Sequence, residues 1–178
     1  MAGTLTVQNL QGPSTGANAN KILIPSGQTL YAPGHVLQVV SDTYSSATRL
    51  LATTSTTFVA SGLSVSITPT STSSKVLALV SSSGNNNDAT NGDQLVYTLY
   101  RGSTDLGGVY QSAGFGQIRG TPSTAVRGSI HISILDSPAT TSATTYELYA
   151  RSVNSRTTIE LAGISGTRHT ITLMEIAG

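Results

Sequence analysis

The clearest pattern along the chain is an alternation of apolar and hydroxyl side chains in residues 63–68, Leu-Ser-Val-Ser-Ile-Thr. Because successive side chains of a β-strand point to opposite faces, this period of two predicts a strand with one face on a core and the other in water. After a turn at residues 69–74, residues 75–80 carry apolar side chains on both faces. This second segment is expected to be a central strand or to be covered by another protein surface.

Short strand-like segments follow one another along the rest of the chain, with turn-forming residues between them. They are residues 35–40, 49–53, 57–60, 94–101, 106–111, 126–135, 146–153, 157–161 and 169–176. No stretch of the sequence has the 3.6-residue periodicity of a helix. Many short strands without helices are typical of an antiparallel β-sandwich or jelly roll, so the sequence predicts an all-β fold of that class.

The first 34 residues differ from the rest of the chain. Short apolar pieces flank residues 11–20, which are too rich in turn formers for a helix. Such a segment can bury little surface by itself. The sequence therefore predicts an extended attachment arm, residues 1–34, ahead of a β-sandwich head, residues 35–178. The apolar residues expected to make the arm's contacts are Leu5, Val7, Leu10, Ile22 and Ile24.

The last predicted strand is apolar on both faces. Ile171 and Leu173 fall on one face, and Met174 and Ile176 on the other. Periodicity alone supports two interpretations equally: a strand buried inside a monomeric sandwich, or a strand at a subunit interface. All four residues are therefore candidates for an interface between subunits.

Composition narrows the range of functions. Charged residues make up 10% of the chain, against roughly 25% in ordinary soluble proteins. The net charge is +1 and the basic residues are scattered, which argues against nucleic-acid binding. No basic segment precedes an apolar one at the N-terminus, and no apolar stretch approaches about 20 residues, so neither an ordinary signal peptide nor membrane insertion is expected. The absence of cysteine excludes disulfides, thiolate metal sites and cysteine nucleophiles.

No catalytic or metal-binding motif stands out. The sequence has no Gly-x-Ser-x-Gly elbow, and its three histidines, His35, His131 and His169, are isolated from one another. Residues 85–93 hold closely spaced oxygen ligands but lack the downstream bidentate glutamate of a calcium loop, so a surface loop is the favoured interpretation over a cation site. The sequence therefore predicts a non-enzymatic protein with no catalytic residues, no cofactor and no metal.

Aromatic and arginine residues concentrate in the middle of the chain. Tyrosine and arginine serve well as contact residues at interfaces, and an aromatic face also suits a sugar ring. Tyr97 shares a face with Leu95 and Leu99 and is expected in the core. The candidate receptor contacts are Tyr100, Arg101, Tyr110, Phe115 and Arg119.

Several segments together resemble a known family. They are residues 4–11, 22–40, 56–63, 71–77, 99–103 and 171–176. In these segments the chain resembles small tail-fibre and virion structural proteins of tailed bacteriophages, particularly those of cyanobacteria.

The resemblance implies a homotrimer with no shared catalytic residues. Its arm would anchor on other virion proteins of the tail, baseplate or capsid, and its jelly-roll head, similar to tumour-necrosis-factor-like folds, would point outward. The expected function is that of a short trimeric tail fibre, made in the host cytoplasm and located on the virion, whose head recognises a host surface glycan. Two alternatives remain at this point: a decoration or cement protein without receptor binding, and a polysaccharide-trimming enzyme, which has the least support.

Overall fold

A computed structural model describes residues 8, 11–19, 21–24, 26, 32–45, 49–86, 93–108, 114–120, 125–156, 158–161 and 168–178. The chain divides into two compact units, Met1–Ala32 and Pro33–Gly178.

The first unit contains a tight turn. The amide of Ala19 donates to the Gly16 carbonyl at 3.0 Å, and the amide of Lys21 donates to the Asn18 carbonyl at 3.1 Å. Gly16 has a φ of 90°, which favours glycine, and a Cβ at Gly12 would collide with the Lys21 backbone. The chain therefore turns so that Gly12 and Lys21 come together, within the segment whose turn formers the sequence shows.

The arm's predicted contact residues are only partly within the described chain. Ile22 and Ile24 are 50% and 42% exposed, and Leu23 between them is 58% exposed. Leu5, Val7 and Leu10 lie outside the described residues.

The second unit consists of antiparallel β-strands. Within the described chain they are β1 (Val36–Tyr44), β2 (Leu51–Thr53), β3 (Val59–Ile67), β4 (Lys75–Asn86), β5 (Gln94–Arg101), β6 (Thr104–Asp105), β7 (Gly116–Arg119), β8 (Val126–Asp136), β9 (Thr144–Ser152), β10 (Ile159–Leu161) and β11 (His169–Ile176). The described residues contain no helix, so the all-β, antiparallel prediction is confirmed. Accordingly, no described helix is long and apolar enough to span a bilayer.

The strands form two sheets. In the six-stranded sheet, β4 pairs with β8 along one edge and with β11 and then β10 along the other; β1 pairs with β11, and β2 with β10. In the five-stranded sheet the order is β3, β9, β5, and both β6 and β7 pair with the far edge of β5. The long strand β4 is therefore central, as its two apolar faces predict.

The inward faces of both sheets meet in one hydrophobic core. Leu63 and Ile67 of β3 are buried while Ser66 is exposed, which confirms the predicted alternation. In β8, Ile130 and Ile132 are buried and His131 is exposed, as expected from their spacing. The other buried core residues are Val76, Ala78, Val80, Leu95, Leu99, Ile118, Tyr146, Leu148, Ala150, Ile159, Leu161, Ile171 and Leu173.

Several strands, among them β1 and β4, are longer than the sequence predicts, and three further differences concern which segments form strands. The segments predicted at residues 57–60 and 63–68 form one strand, β3, because its register shifts between Ala60 and Ser64, around a Gly62 with φ of 82°. The strand predicted at residues 106–111 is replaced by β6 at Thr104–Asp105, although residues 109–111 lie outside the described chain. β7 was not predicted, because its four residues carry only one strongly apolar side chain, Ile118.

Replacing Leu148 by alanine is expected to lower the free energy of unfolding by about 2–5 kcal/mol, because the side chain is fully buried between the sheets. Urea unfolding followed by circular dichroism measures this. Leu148→Met is the matched control, expected to cost less than about 1.5 kcal/mol since it conserves volume. Equal stability of wild type and Leu148→Ala would contradict this account of the core.

Candidate functional site

An apolar row crosses the outer face of the six-stranded sheet. The registers place Val39 of β1 beside Met174 of β11, Met174 beside Leu77 of β4, and Leu77 beside Leu135 of β8. Met174 and Leu77 are half-buried, whereas Val39 is 54% and Leu135 52% exposed. We call these four residues the apolar row. Side chains facing outward from four adjacent strands thus form one continuous hydrophobic surface.

The neighbouring positions on this face are mostly hydroxyl-bearing. Ser41 and Thr172 lie side by side with their hydroxyl oxygens 2.9 Å apart. Beyond them is a shallow depression of about 420 Å³, lined in part by Leu79, Ser133 and His131. Lys75, which pairs with Ile176, lies at one end of the face. The described centre of this face therefore carries very little charge.

The sequence-predicted interface residues are divided between the two sides of β11. Ile171 and Leu173 are fully buried in the sandwich core and cannot contact another chain in the folded protein, which corrects their assignment as interface candidates. Met174 and Ile176 are half-buried on the outer face, where an interface can reach them. Alternation along one strand accounts for the division.

An aromatic cluster lies on the outer face of the five-stranded sheet. The ring centroids of Tyr100 and Tyr149 are 4.3 Å apart, and those of Phe58 and Tyr100 are 6.1 Å apart in an edge-on arrangement. The guanidinium carbon of Arg151 lies 5.3 Å from the Phe58 ring centroid. We call these four residues the aromatic cluster. They face outward because Leu99 of β5 and Leu148 and Ala150 of β9 face the core.

Two glycines, Gly107 and Gly114, lie against β5 on the same face as the cluster. A Cβ at Gly107 would collide with the Thr98 hydroxyl, and one at Gly114 would lie 2.9 Å from Val96 Cγ1. Only glycine permits this close approach, and Gly114 also has a φ of 155°. Val96 and Thr98, which these glycines contact, are buried, whereas Tyr100 farther along the same face of β5 is half-buried.

Of the five predicted receptor contacts, Tyr100 is the one that the described structure places in the aromatic cluster. Tyr100 belongs to the aromatic cluster, whereas Phe115 is partly buried against the core and Arg119 is exposed on β7. Tyr110 lies outside the described residues. The sequence analysis missed Phe58, Tyr149 and Arg151. In β9 the side chains of Tyr149 and Arg151 alternate with the buried side chains of Leu148 and Ala150, and this alternation would have placed Tyr149 and Arg151 on an outer face.

Arg101 is 24% exposed and pairs with Asp136 apart from the aromatic cluster, so its assignment as a receptor contact stays a prediction. Its Nη1 donates to both carboxylate oxygens of Asp136 at 2.8 Å, and the Tyr146 hydroxyl donates to Asp136 Oδ2 at 2.7 Å. Burial, together with the hydrogen bond to Asp136, raises the pKa of Tyr146 well above its usual value of 10. Arg101 therefore neutralises a carboxylate that joins β5, β8 and β9.

Asp93 lies directly before β5 and binds the segment that follows β9. Its carboxylate accepts hydrogen bonds from the Ser152 hydroxyl at 2.7 Å and from the amides of Gln94, Asn154 and Arg156 at 2.7–2.9 Å. Burial alone would raise the pKa of Asp93, but these hydrogen bonds outweigh it and lower the pKa to about 2. Asp93 therefore has a structural role: its carboxylate accepts hydrogen bonds from backbone amides.

Asn85 and Asn86, which the sequence predicted in a surface loop, are instead the buried last residues of β4. Asn86 Nδ2 donates to the Asp93 carbonyl, and Asn85 Nδ2 donates to Glu160 Oε2 at 3.3 Å. Residues 87–92 lie outside the described chain. Among the described residues, no group of three or more His, Asp or Glu side chains is placed to hold a metal ion.

Glu175, near the C-terminal end of β11, is a second buried carboxylate that accepts several hydrogen bonds. Its Oε2 accepts from Gln38 Nε2 at 2.6 Å, and its Oε1 accepts from the amide and hydroxyl of Thr70, each at 2.7 Å. Burial of the carboxyl acts to raise its pKa, but the hydrogen bonds, led by that from Gln38, lower the pKa of Glu175 below its ordinary value. The carboxylate joins β1, β11 and the turn before β4.

The buried histidine is likewise enclosed by the fold. His169 Nδ1 lies 3.0 Å from the Ser82 hydroxyl, and its side chain is almost completely buried. Burial lowers the pKa of His169, because the charged imidazolium is disfavoured away from water. This serine–histidine pair is out of reach of a substrate in the folded protein.

Replacing Asp93 by asparagine is expected to lower the free energy of unfolding at pH 7 by about 2 kcal/mol, from the difference between 3.8 and about 2 in pKa. Because the unfolded chain binds the proton more tightly, this stabilisation is complete above about pH 4 and is lost as the pH falls toward 2. Urea unfolding at pH 7, 4, 3 and 2.5 should therefore give a shallower pH dependence for Asp93→Asn than for wild type.

Asp42→Asn is the matched control, since Asp42 is exposed on β1. It is expected to leave both the stability at pH 7 and its acid dependence close to wild type. Identical acid profiles for Asp93→Asn and wild type would contradict the assigned role of Asp93.

Comparison with known proteins found no matching protein-family model and no curated protein of significant similarity.

Proposed function

We propose that the chain is a non-enzymatic structural protein of a tailed-bacteriophage virion. In this proposal it forms a short trimeric tail fibre, whose arm docks on other virion proteins and whose sandwich head meets a glycan on the host surface. The observation that carries the proposal is the apolar row, Val39, Met174, Leu77 and Leu135, which a single chain leaves exposed on the six-stranded sheet.

The strand connectivity supports a jelly-roll head of the tumour-necrosis-factor-like kind. Strands β1, β11, β4 and β8 lie side by side in one sheet, and β3, β9, β5 and β7 in the other. Following these eight strands along the chain, every connection crosses between the sheets except that from β5 to β7. A double sheet of eight strands built from Greek keys has this kind of order.

The chemistry of the outer face supports association of identical chains. Fully burying a valine or leucine contributes about 1.5–3 kcal/mol, so covering Val39 and Leu135 in every chain stabilises an assembly. Copies of one surface also bring like charges together, and the described centre of this face carries almost none. The apolar row therefore suits contact with the same face of sister chains around a symmetry axis.

The buried acids support a structural rather than an enzymatic role. The buried Asp93 and Glu175 each accept at least three hydrogen bonds from the protein. Donors that hold a carboxylate ionised lower its capacity to act as a general base or acid near neutral pH. These carboxylates hold strands and loops together in a chain without cysteine.

The exposed residues of the arm support its role in attachment. Ile22, Leu23 and Ile24 form a run of three large apolar side chains, each at least 42% exposed. Exposed apolar runs of this kind are typical of surfaces that bind another protein. The arm would bury them against a socket on the virion or against the arms of sister chains.

Replacing Leu135 by lysine is expected to convert the trimer to monomers, because it places three like charges at the proposed interface. Light scattering coupled to size exclusion should give three times the 18.3 kDa chain mass for wild type and one chain mass for the variant. Circular dichroism should show both folded, since Leu135 is half exposed in the single chain.

Gln117→Lys supplies the matched control. It adds the same charge at an exposed position of the other sheet and should leave the trimer intact. A wild-type chain that is monomeric at micromolar concentration, or a Leu135→Lys variant that stays trimeric, would refute assembly through this face.

Deleting residues 1–32 is expected to leave a folded head that no longer enters virions, because the remaining unit contains the whole sandwich core. Circular dichroism of the truncated chain measures folding, and quantitative blotting of purified particles measures incorporation. Incorporation at the level of the full chain would contradict the attachment role of the arm.

A further inference from the structure

The aromatic cluster is an exposed surface that neither the sandwich core nor the proposed subunit interface uses. Phe58, Tyr100 and Tyr149 face away from the core, on the sheet opposite to the apolar row. All three rings are half-buried, so each keeps part of its surface open to solvent. The cluster is therefore available to a ligand when the other sheet is covered by sister chains.

The cluster is held in place by its surroundings. Tyr100 and Tyr149 stand on adjacent central strands and contact each other at 4.3 Å. The guanidinium carbon of Arg151 lies 5.3 Å from the Phe58 ring centroid, and Thr98, next to Tyr100 along the same face of β5, is buried beside Gly107. Rings fixed on strands in this way lose little conformational freedom when a ligand stacks on them.

Charged groups of both signs lie next to the rings. Asp105 pairs with Tyr100 across β5 and β6, and its Oδ1 accepts from the Thr98 hydroxyl at 2.5 Å and the Gly107 amide at 2.9 Å. Glu147 shares an outer face with Tyr149, and its Oε1 accepts from the Gly62 amide at 2.9 Å. The structure gives each of these fixed carboxylates a second oxygen with no donor among the described residues.

This combination distinguishes between classes of ligand. Carboxylates accept hydrogen bonds from hydroxyl groups and repel phosphates and other anions, while aromatic faces accept the apolar face of a ring. Two carboxylates against one guanidinium disfavour nucleic acid and acidic lipids, and suit an uncharged ligand that is rich in hydroxyl groups.

We infer that the aromatic cluster is a binding site for a neutral pyranose glycan, stacked on Tyr149 and Phe58 with its hydroxyl groups hydrogen-bonded to Glu147, Asp105 and Arg151. The inference rests on the proposed function, because it gives the host-contacting head a specific site. It places glycan binding and trimer assembly on opposite sheets of the same sandwich, so each can be removed separately.

The test is saturation-transfer difference NMR on the full-length protein with a panel of neutral disaccharides: maltose, cellobiose, lactose, mannobiose and chitobiose. At least one should receive saturation from the protein and give a dissociation constant on titration. A soluble disaccharide reports on each site separately, so the number of chains per particle does not affect the result. A sulfated form of the bound sugar is expected to bind more weakly.

Variants then locate the site. Tyr149→Ala and Phe58→Ala are each expected to weaken binding about tenfold or more, whereas Tyr149→Phe, which keeps the ring, should bind nearly as well as wild type. Two alanine variants are used so that a folding defect in one of them does not decide the result. Both should remain trimeric by light scattering.

Leu135→Lys separates this inference from the proposed assembly. It should bind the sugar like wild type while losing the trimer. If no sugar of the panel binds, or binding survives in the Phe58 and Tyr149 double alanine variant, or the sulfated sugar binds more tightly, the inference is wrong even if the trimer is present. Such a result with an intact trimer would favour a decoration role for the protein.

Discussion

Packing of the inward faces of two antiparallel sheets is the interaction on which the rest of the structure depends. Leu63, Leu148, Ile130 and Leu173 belong to one continuous core that joins both sheets. Because side chains alternate along every strand, burying these residues fixes which side chains point outward. The chemistry of the two outer faces follows directly from that constraint. One face carries the apolar row, and the other carries the aromatic cluster.

Hydrogen-bonded carboxylates, buried or partly buried, provide the cross-connections that disulfides or metals provide in other small β proteins. Asp93, Asp136 and Glu175 each connect segments far apart in sequence. A buried charge is costly unless hydrogen bonds compensate it, and here the compensating donors are hydroxyls, backbone amides, one amide side chain and one arginine. The buried charged residues of the described chain are the carboxylates Asp93, Glu160 and Glu175, and hydrogen bonds compensate the charge of each.

Periodicity in the sequence was sufficient to predict the strands with long-range apolar patterns. β5 and β11 begin and end where predicted, and the two-faced β4 lies at the centre of its sheet. Periodicity could not predict sheet order, because which strands become neighbours depends on contacts between distant residues. It therefore could not bring Val39 beside Met174, or Phe58 beside Tyr100.

The candidate site was predicted less well than the fold, for a physical reason. The sequence grouped Tyr100 and Arg101 because they are adjacent, yet neighbouring residues in a strand point to opposite faces. Arg101 consequently binds Asp136 beside the core, and Tyr100 instead meets Tyr149 from β9. Alternation within each strand would have separated the pair, whereas finding Phe58 required the fold.

The central claim, that identical chains meet through the outer face of the six-stranded sheet, is tested most directly by distances between chains. The absence of native cysteine allows a single spin label at Ser133→Cys, beside the apolar row, and in a separate sample at Gln117→Cys on the other sheet. Double electron–electron resonance should give a short, well-defined distance between chains for position 133 and a clearly longer one for position 117. The account is contradicted if position 133 shows no coupling between chains, or if position 117 gives the shorter distance.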